Sequence, residues 1–170
     1  MAANSPPPAQ PEDVQLRHAA SIRALVWSGV ILGIGTIGSL DEIVLHQLLQ
    51  WHTFYVHTTP YWRIISDGIF HLVSAGLLLG GGLLLAWQRP QFGDPIQSRA
   101  LLAGMLFGMG GFNLYDGTIQ HKILQLHPVR EGMSNQLPYD LAFNGLAILL
   151  LVAGWLLWRS VRTTSERNTA

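Results

Sequence analysis

The chain has 170 residues, of which 49% are hydrophobic and only 12% charged. A soluble domain carries about 25% charged residues, so about half the charge that covers an ordinary soluble surface is missing. Ten basic and ten acidic residues cancel, which argues against a nucleic-acid partner. The absence of cysteine excludes disulfides, thiolate metal sites, iron–sulfur clusters and thiol catalysis.

Residues 1–21 are polar and proline-rich and read as a disordered tail. No short apolar core with a small-residue cleavage site follows directly, so they do not read as a secretory signal. Four apolar segments come next, over residues 24–50, 62–87, 100–125 and 139–158. Each can cross a hydrocarbon core of about 30 Å, which takes roughly 20 helical residues. Pro60 precedes the second segment, Arg89-Pro90 and Asp94-Pro95 close it, Pro128 follows the third and Pro138 precedes the fourth. Proline is expected at such boundaries. Six tryptophans cluster near segment ends, as interfacial aromatics do. The expected fold is all-α: an integral membrane four-helix bundle over residues 22–160, with a second short tail over 161–170.

Basic residues orient the spans. Arg17, Arg23, Arg89, Arg99, Arg159, Arg162 and Arg167 fall on one side, against Arg63, Lys122 and Arg130 on the other. The richer side faces the cytoplasm, which puts both termini there and the protein in the inner (plasma) membrane.

The run from Asp41 to His52 and the run from Asp116 to His127 share the pattern D-x(4)-H-x-x-L-Q-x-H at a constant offset of 75 residues. The same offset pairs Gly29 with Gly104, Gly33 with Gly108 and Gly35 with Gly110. More weakly, an offset of 73 pairs Asp67 with Asp140 and His71 with Asn144. The expected organisation is a duplicated two-helix unit, about 24–88 and about 99–160. Its copies run parallel about an axis along the membrane normal. Apolar residues are shared easily between membrane helices. An aspartate, two histidines and a glutamine in register are not, because intramembrane charge costs a few kcal/mol and marks function or pairing.

The runs L-D-E-I-V-L-H-Q-L-L-Q-W-H, S-D-G-I-F-H and G-G-F-N-L-Y-D-G-T-I-Q-H-K-I-L-Q-L-H resemble a bacterial family of membrane proteins known as domain of unknown function 2243. The resemblance covers roughly residues 31–144. It implies a small four-helix membrane protein and carries no activity.

The polar positions fall toward the non-cytoplasmic ends of all four segments. The expected metal ligands are His46, His71, His121, Asp67 and Asp140. Asp41, Asp116, Glu42, His52, His127 and Gln120 are secondary ligands or orient the ligating rings. Asp41 and His46 are five apart, about 140° around an ideal α-helix, so they cannot share a face unless the helix departs from that geometry. A cysteine-free imidazole and carboxylate set suits a transition metal ion such as iron, zinc or copper(II). The function so read is redox chemistry or metal handling. The alternatives are proton or divalent-cation transport, a structural Asp/His network and, least favoured, b-type haem. Whether the protein is an enzyme stays open. His18 reads as a tail residue and His57 as a loop residue. Glycines spaced as small-xxx-small (Gly29 and Gly33; Gly76 and Gly80; Gly104 and Gly108) read as packing grooves, within the chain or in a homo-oligomer. The lipid bilayer is the expected partner, and a membrane redox partner stays open.

Overall fold

The computed structural model describes residues 10–90 and 93–169, without the side chains of 11–16 and 165–169. The described residues form four helices and no strand: α1 (Pro11–Asp41), α2 (Pro60–Gln88), α3 (Pro95–Tyr115) and α4 (Leu137–Thr169). Each start has a local cause. Proline occupies the first turn of α1, α2 and α3, where its missing N–H costs nothing. Asp94 caps α3 by accepting from the Ile96 N–H at 2.8 Å, and the Asn135 side chain accepts from the Leu137 N–H at the start of α4. Arg89, in the left-handed region at φ 47°, ends α2.

Two expected boundaries move. Helix α1 begins at Pro11, so residues 11–21 are helical where a tail was expected; the earlier tail residues lie outside the described residues. Helix α4 continues through 161–169. Neither stretch contains a proline or glycine inside the helix to interrupt it.

Three stretches are long and apolar enough to cross a membrane: Arg17–Leu48, Pro60–Gln88 and Leu137–Thr164. Their outer faces carry exposed Ile64, Leu72, Leu79 and Leu149, the reverse of a soluble helix. Helices α1 and α3 form the centre, with α2 packed on α1 and α4 packed on α3. A Cβ on Gly29 would collide with the Leu101 carbonyl, and one on Gly33 with that of Met105. One on Gly104 would collide with the Val26 carbonyl, and one on Gly108 with that of Val30. These four glycines let the two backbones touch. Gly76 and Gly80 differ: a Cβ on either meets open space, so that pair packs against nothing among the described residues.

Candidate metal centre

Helix α1 does not end at Asp41. It widens into a π-helical segment, Glu42–Leu48, and α3 does the same over Asp116–Ile123. A π-helix bonds residue i to i+5, so side chains five apart stack where an α-helix would splay them. This is the departure from ideal geometry that the D-x(4)-H spacing requires. It brings His46 Nε2 within 3.3 Å of Asp41 Oδ2, and His121 Nε2 within 3.0 Å of Asp116 Oδ2.

Both segments close in the same way. The Leu49 N–H donates to the Val44 carbonyl at 2.9 Å and the Trp51 N–H to that of Leu45 at 2.8 Å. The Leu124 N–H donates to the Ile119 carbonyl at 2.8 Å and the Leu126 N–H to that of Gln120 at 3.0 Å. Gln50 and Gln125 take φ of 51° and 50°, left-handed conformations that reverse the chain. The reversal returns His52 and His127 to the helix ends they have just left. Each is 2% exposed.

The four rings form one cluster. Centroids are 4.4 Å apart for His46 and His52, 4.6 Å for His121 and His127, 6.1 Å for His46 and His127, and 6.0 Å for His52 and His121. His52 and His127 stack nearly parallel at 4.5 Å. Rings this close leave no slot for a porphyrin between them.

The loops after the π-helical segments interlace above the cluster. The Val56 N–H donates to the Leu126 carbonyl at 3.1 Å and the Glu131 N–H to the Trp51 carbonyl at 2.7 Å. Arg63, at the start of α2, pairs with Glu131 at 2.8 Å and also donates to the Val56 carbonyl. Arg63 holds the Glu131 carboxyl below the ordinary glutamate value. The Arg130 guanidinium lies over Trp51, 5.1 Å from its centroid, and the Trp51 ring meets Tyr139.

Tautomers follow from these contacts. His52 Nδ1 lies 2.8 Å from the Val129 carbonyl, which only accepts, so Nδ1 carries the hydrogen and Nε2 a lone pair. His46 Nδ1 lies 3.1 Å from both Asp67 Oδ1 and Glu42 Oε2, which places a hydrogen there, and its Nε2 faces Asp41 Oδ2. Burial, and then the His46 ring nearby, lowers the His52 pKa to about 4. Burial, and then the His52 and His121 rings, lowers that of His127 to about 2. Both are neutral at physiological pH, the form in which imidazole binds a metal.

All four Nε2 atoms are buried without a hydrogen-bond partner. The 3.0 and 3.3 Å approaches to Asp116 and Asp41 lack hydrogen-bond alignment. In a site with bonds of about 2.0–2.1 Å, neighbouring ligand atoms stand about 3–3.4 Å apart. Potential donor atoms of Asp41, His46 and His52 lie within 4.8 Å of one another. So do those of His52, His121 and His127, and those of Glu42, His46 and Asp67. These groups could hold a metal ion.

The remaining sequence candidates divide. Asp67 Oδ1 accepts from the Phe54 N–H at 2.6 Å and faces His46, which ties the first loop to α2. His71 lines a pocket with Glu42, Gln47 and Asp67, away from the four-ring cluster. Asp140 pairs with Lys122 at 2.5 Å. Gln120 donates to Asp116 Oδ1 at 2.6 Å and so aims the other oxygen at His121. His57 is exposed and bonds the Gln125 carbonyl. His52 and His127 rank second in the sequence because they lie just beyond the apolar runs, and an unbroken helix would carry His52 about 16 Å past Asp41. The signal that could have promoted them was the repeated Q-x-H, whose glutamine turns the chain back. An apolar cleft of about 430 Å³, lined by Leu40, Val44, Trp51, Tyr139, Phe143 and Leu146 among others, opens beside Asp41.

No curated protein and no solved structure matches the chain. The model of a family described as a predicted membrane protein (DUF2243) matches residues 28–161, most of the chain. The protein therefore belongs to this membrane-protein family, whose function is unknown, and it carries histidine and carboxylate groups that could bind a metal.

Proposed function

We propose that this protein holds a transition-metal centre ligated by His46, His52, His121 and His127 with Asp41 and Asp116, and that it serves redox chemistry or metal handling at the non-cytoplasmic side of the inner membrane. One observation carries the reading: the Nε2 atoms of all four histidines are buried and without hydrogen-bond partners. A structural Asp/His network would satisfy those nitrogens, because an unmade buried hydrogen bond costs about 1–3 kcal/mol. A metal ion uses the lone pairs directly. The nitrogen and oxygen ligand set, without thiolate, suits iron, zinc, copper(II) or manganese.

In this reading Glu42 and Asp67 are orienting carboxylates. Asp67 accepts the Nδ1 hydrogen of His46 and Glu42 faces the same nitrogen, and together they raise its donor strength, as carboxylates behind ligating imidazoles do. Gln120 orients Asp116. His71 and Asp140 stand outside the inner ligand set.

The centre sits at the junction of two copies of one helical unit in a four-span protein with both termini cytoplasmic. The ring distances support this reading. The 4.4 and 4.6 Å spacings exchange under a two-fold operation, as do the 6.1 and 6.0 Å spacings. The paired π-helical segments and paired left-handed glutamines support it as well.

Elemental analysis tests the proposal on protein purified from cells without added metal. The expected result is near-stoichiometric transition metal and no Soret band. Metal-free protein with normal helicity would refute the centre, and a Soret band would replace it with haem.

A further inference from the structure

Resting on the centre just proposed, we infer that it is dinuclear, with one divalent ion in each half, and that the half built on α1 binds its ion more tightly.

Asp41, Glu42 and Asp116 are buried and Asp67 is half-buried. Among the described residues their ion-pair contacts are to histidines, whereas Asp140 is neutralised by Lys122. Burying an uncompensated carboxylate costs several kcal/mol, and more beside others of the same sign. Two divalent cations balance four carboxylates. A single ion leaves two negative charges in the protein interior. The ligands also divide evenly: Asp41, His46 and His52 gather on one side, and Asp116, His121 and His127 on the other. His52 reaches both groups, so the two ions are neighbours.

The two halves also differ in what stands behind their histidines. In the α1 half, His46 Nδ1 faces two carboxylates. In the α3 half, His121 Nδ1 is buried with no hydrogen-bond partner. The sequence accounts for the difference. Gly117 stands where the first half has Glu42, and a Cβ there would meet the Asn144 side chain. Asn144 itself stands where the first half has His71, and the aspartate equivalent to Asp67 is Asp140, engaged by Lys122. The first half thus keeps an acidic pocket lined by Glu42, Asp67 and His71, and the second half has filled and neutralised its counterpart. Loss of outer-shell carboxylates lowers metal affinity by about 10–100-fold. That is the expected gap between the two ions.

The test strips the full-length detergent-solubilised protein with chelator and reloads it with zinc(II). Zinc per chain is read by elemental analysis, and the release steps by competition with a chromophoric chelator. The inference expects two zinc ions per chain, released in two steps separated by at least about tenfold. Glu42→Gln should keep both ions and narrow the gap about tenfold or more by weakening the tighter one. Should that variant fold poorly, the wild-type stoichiometry and its two release steps still decide. One zinc per chain would overturn the dinuclear inference and leave the centre standing. Two zinc ions released in one step would overturn the inequality. No zinc, with helicity retained, would remove the centre itself.

Discussion

Alanine at His46 or at His121 is expected to strip most of the metal from its half of the centre, and alanine at both to yield metal-free protein. Each imidazole is one of few ligands available to its half. An outer-shell partner is worth about 10–100-fold in affinity, and a direct ligand is expected to exceed that. The His46 variant should lose more than metal. With its ring gone, Asp41, Glu42 and Asp67 face one another with no imidazole between them. Removing one partner of a buried ionic group costs about 3–5 kcal/mol, so His46→Ala should also lower thermal stability. His57→Ala supplies the control, because that ring is exposed and bonds only a loop carbonyl. Elemental analysis of the three proteins, with circular dichroism to verify helicity, separates the cases. Full metal retention in both His46→Ala and His121→Ala would rule out these ligands.

Gly104→Val is expected to be the most damaging substitution outside the centre. A Cβ there collides with the Val26 carbonyl, a backbone group that cannot rotate aside. Overpacking costs 1–3 kcal/mol where side chains can yield. Here α1 and α3 must separate, so a loss of about 3 kcal/mol or more is expected. Separation also pulls the His46–His52 half from the His121–His127 half, and metal content should fall with stability. Gly76→Val should leave both unchanged, since its Cβ meets open space. Thermal unfolding in detergent, alongside metal content, gives the comparison. A Gly104→Val protein with the wild-type midpoint would contradict the α1–α3 packing.

The four helices were legible because long apolar runs bounded by proline leave little choice of structure, although three of the four expected spans, and not α3, are long and apolar enough to cross a membrane. The site was legible in part. The repeated D-x(4)-H-x-x-L-Q-x-H pattern located the two helix ends that matter, and it named every residue of the ring cluster. Its geometry was not legible. A five-residue spacing fits an α-helix badly, and only the π-helical widening at Glu42–Leu48 and Asp116–Ile123 puts aspartate and histidine on one face. Periodicity arguments assume a single helical repeat and miss such a change. The return of His52 and His127 was hidden for a related reason: the repeated Q-x-H marks the position, but glutamine is not a residue type that favours the left-handed conformation it takes there. Asp140 carries the same charge as Asp67 and aligns with it, yet it pairs with Lys122. Lys122 stands 75 residues after Gln47 in the aligned runs, a difference visible in the sequence but without meaning until the neighbours are known.

Anomalous diffraction from crystals of the metal-loaded protein, recorded at the absorption edge of the bound metal, bears most directly on the centre. The account predicts density among the Nε2 atoms of His46, His52, His121 and His127, within bonding reach of Asp41 and Asp116. Density confined to the pocket of Glu42, Asp67 and His71, or to the protein surface, would contradict it.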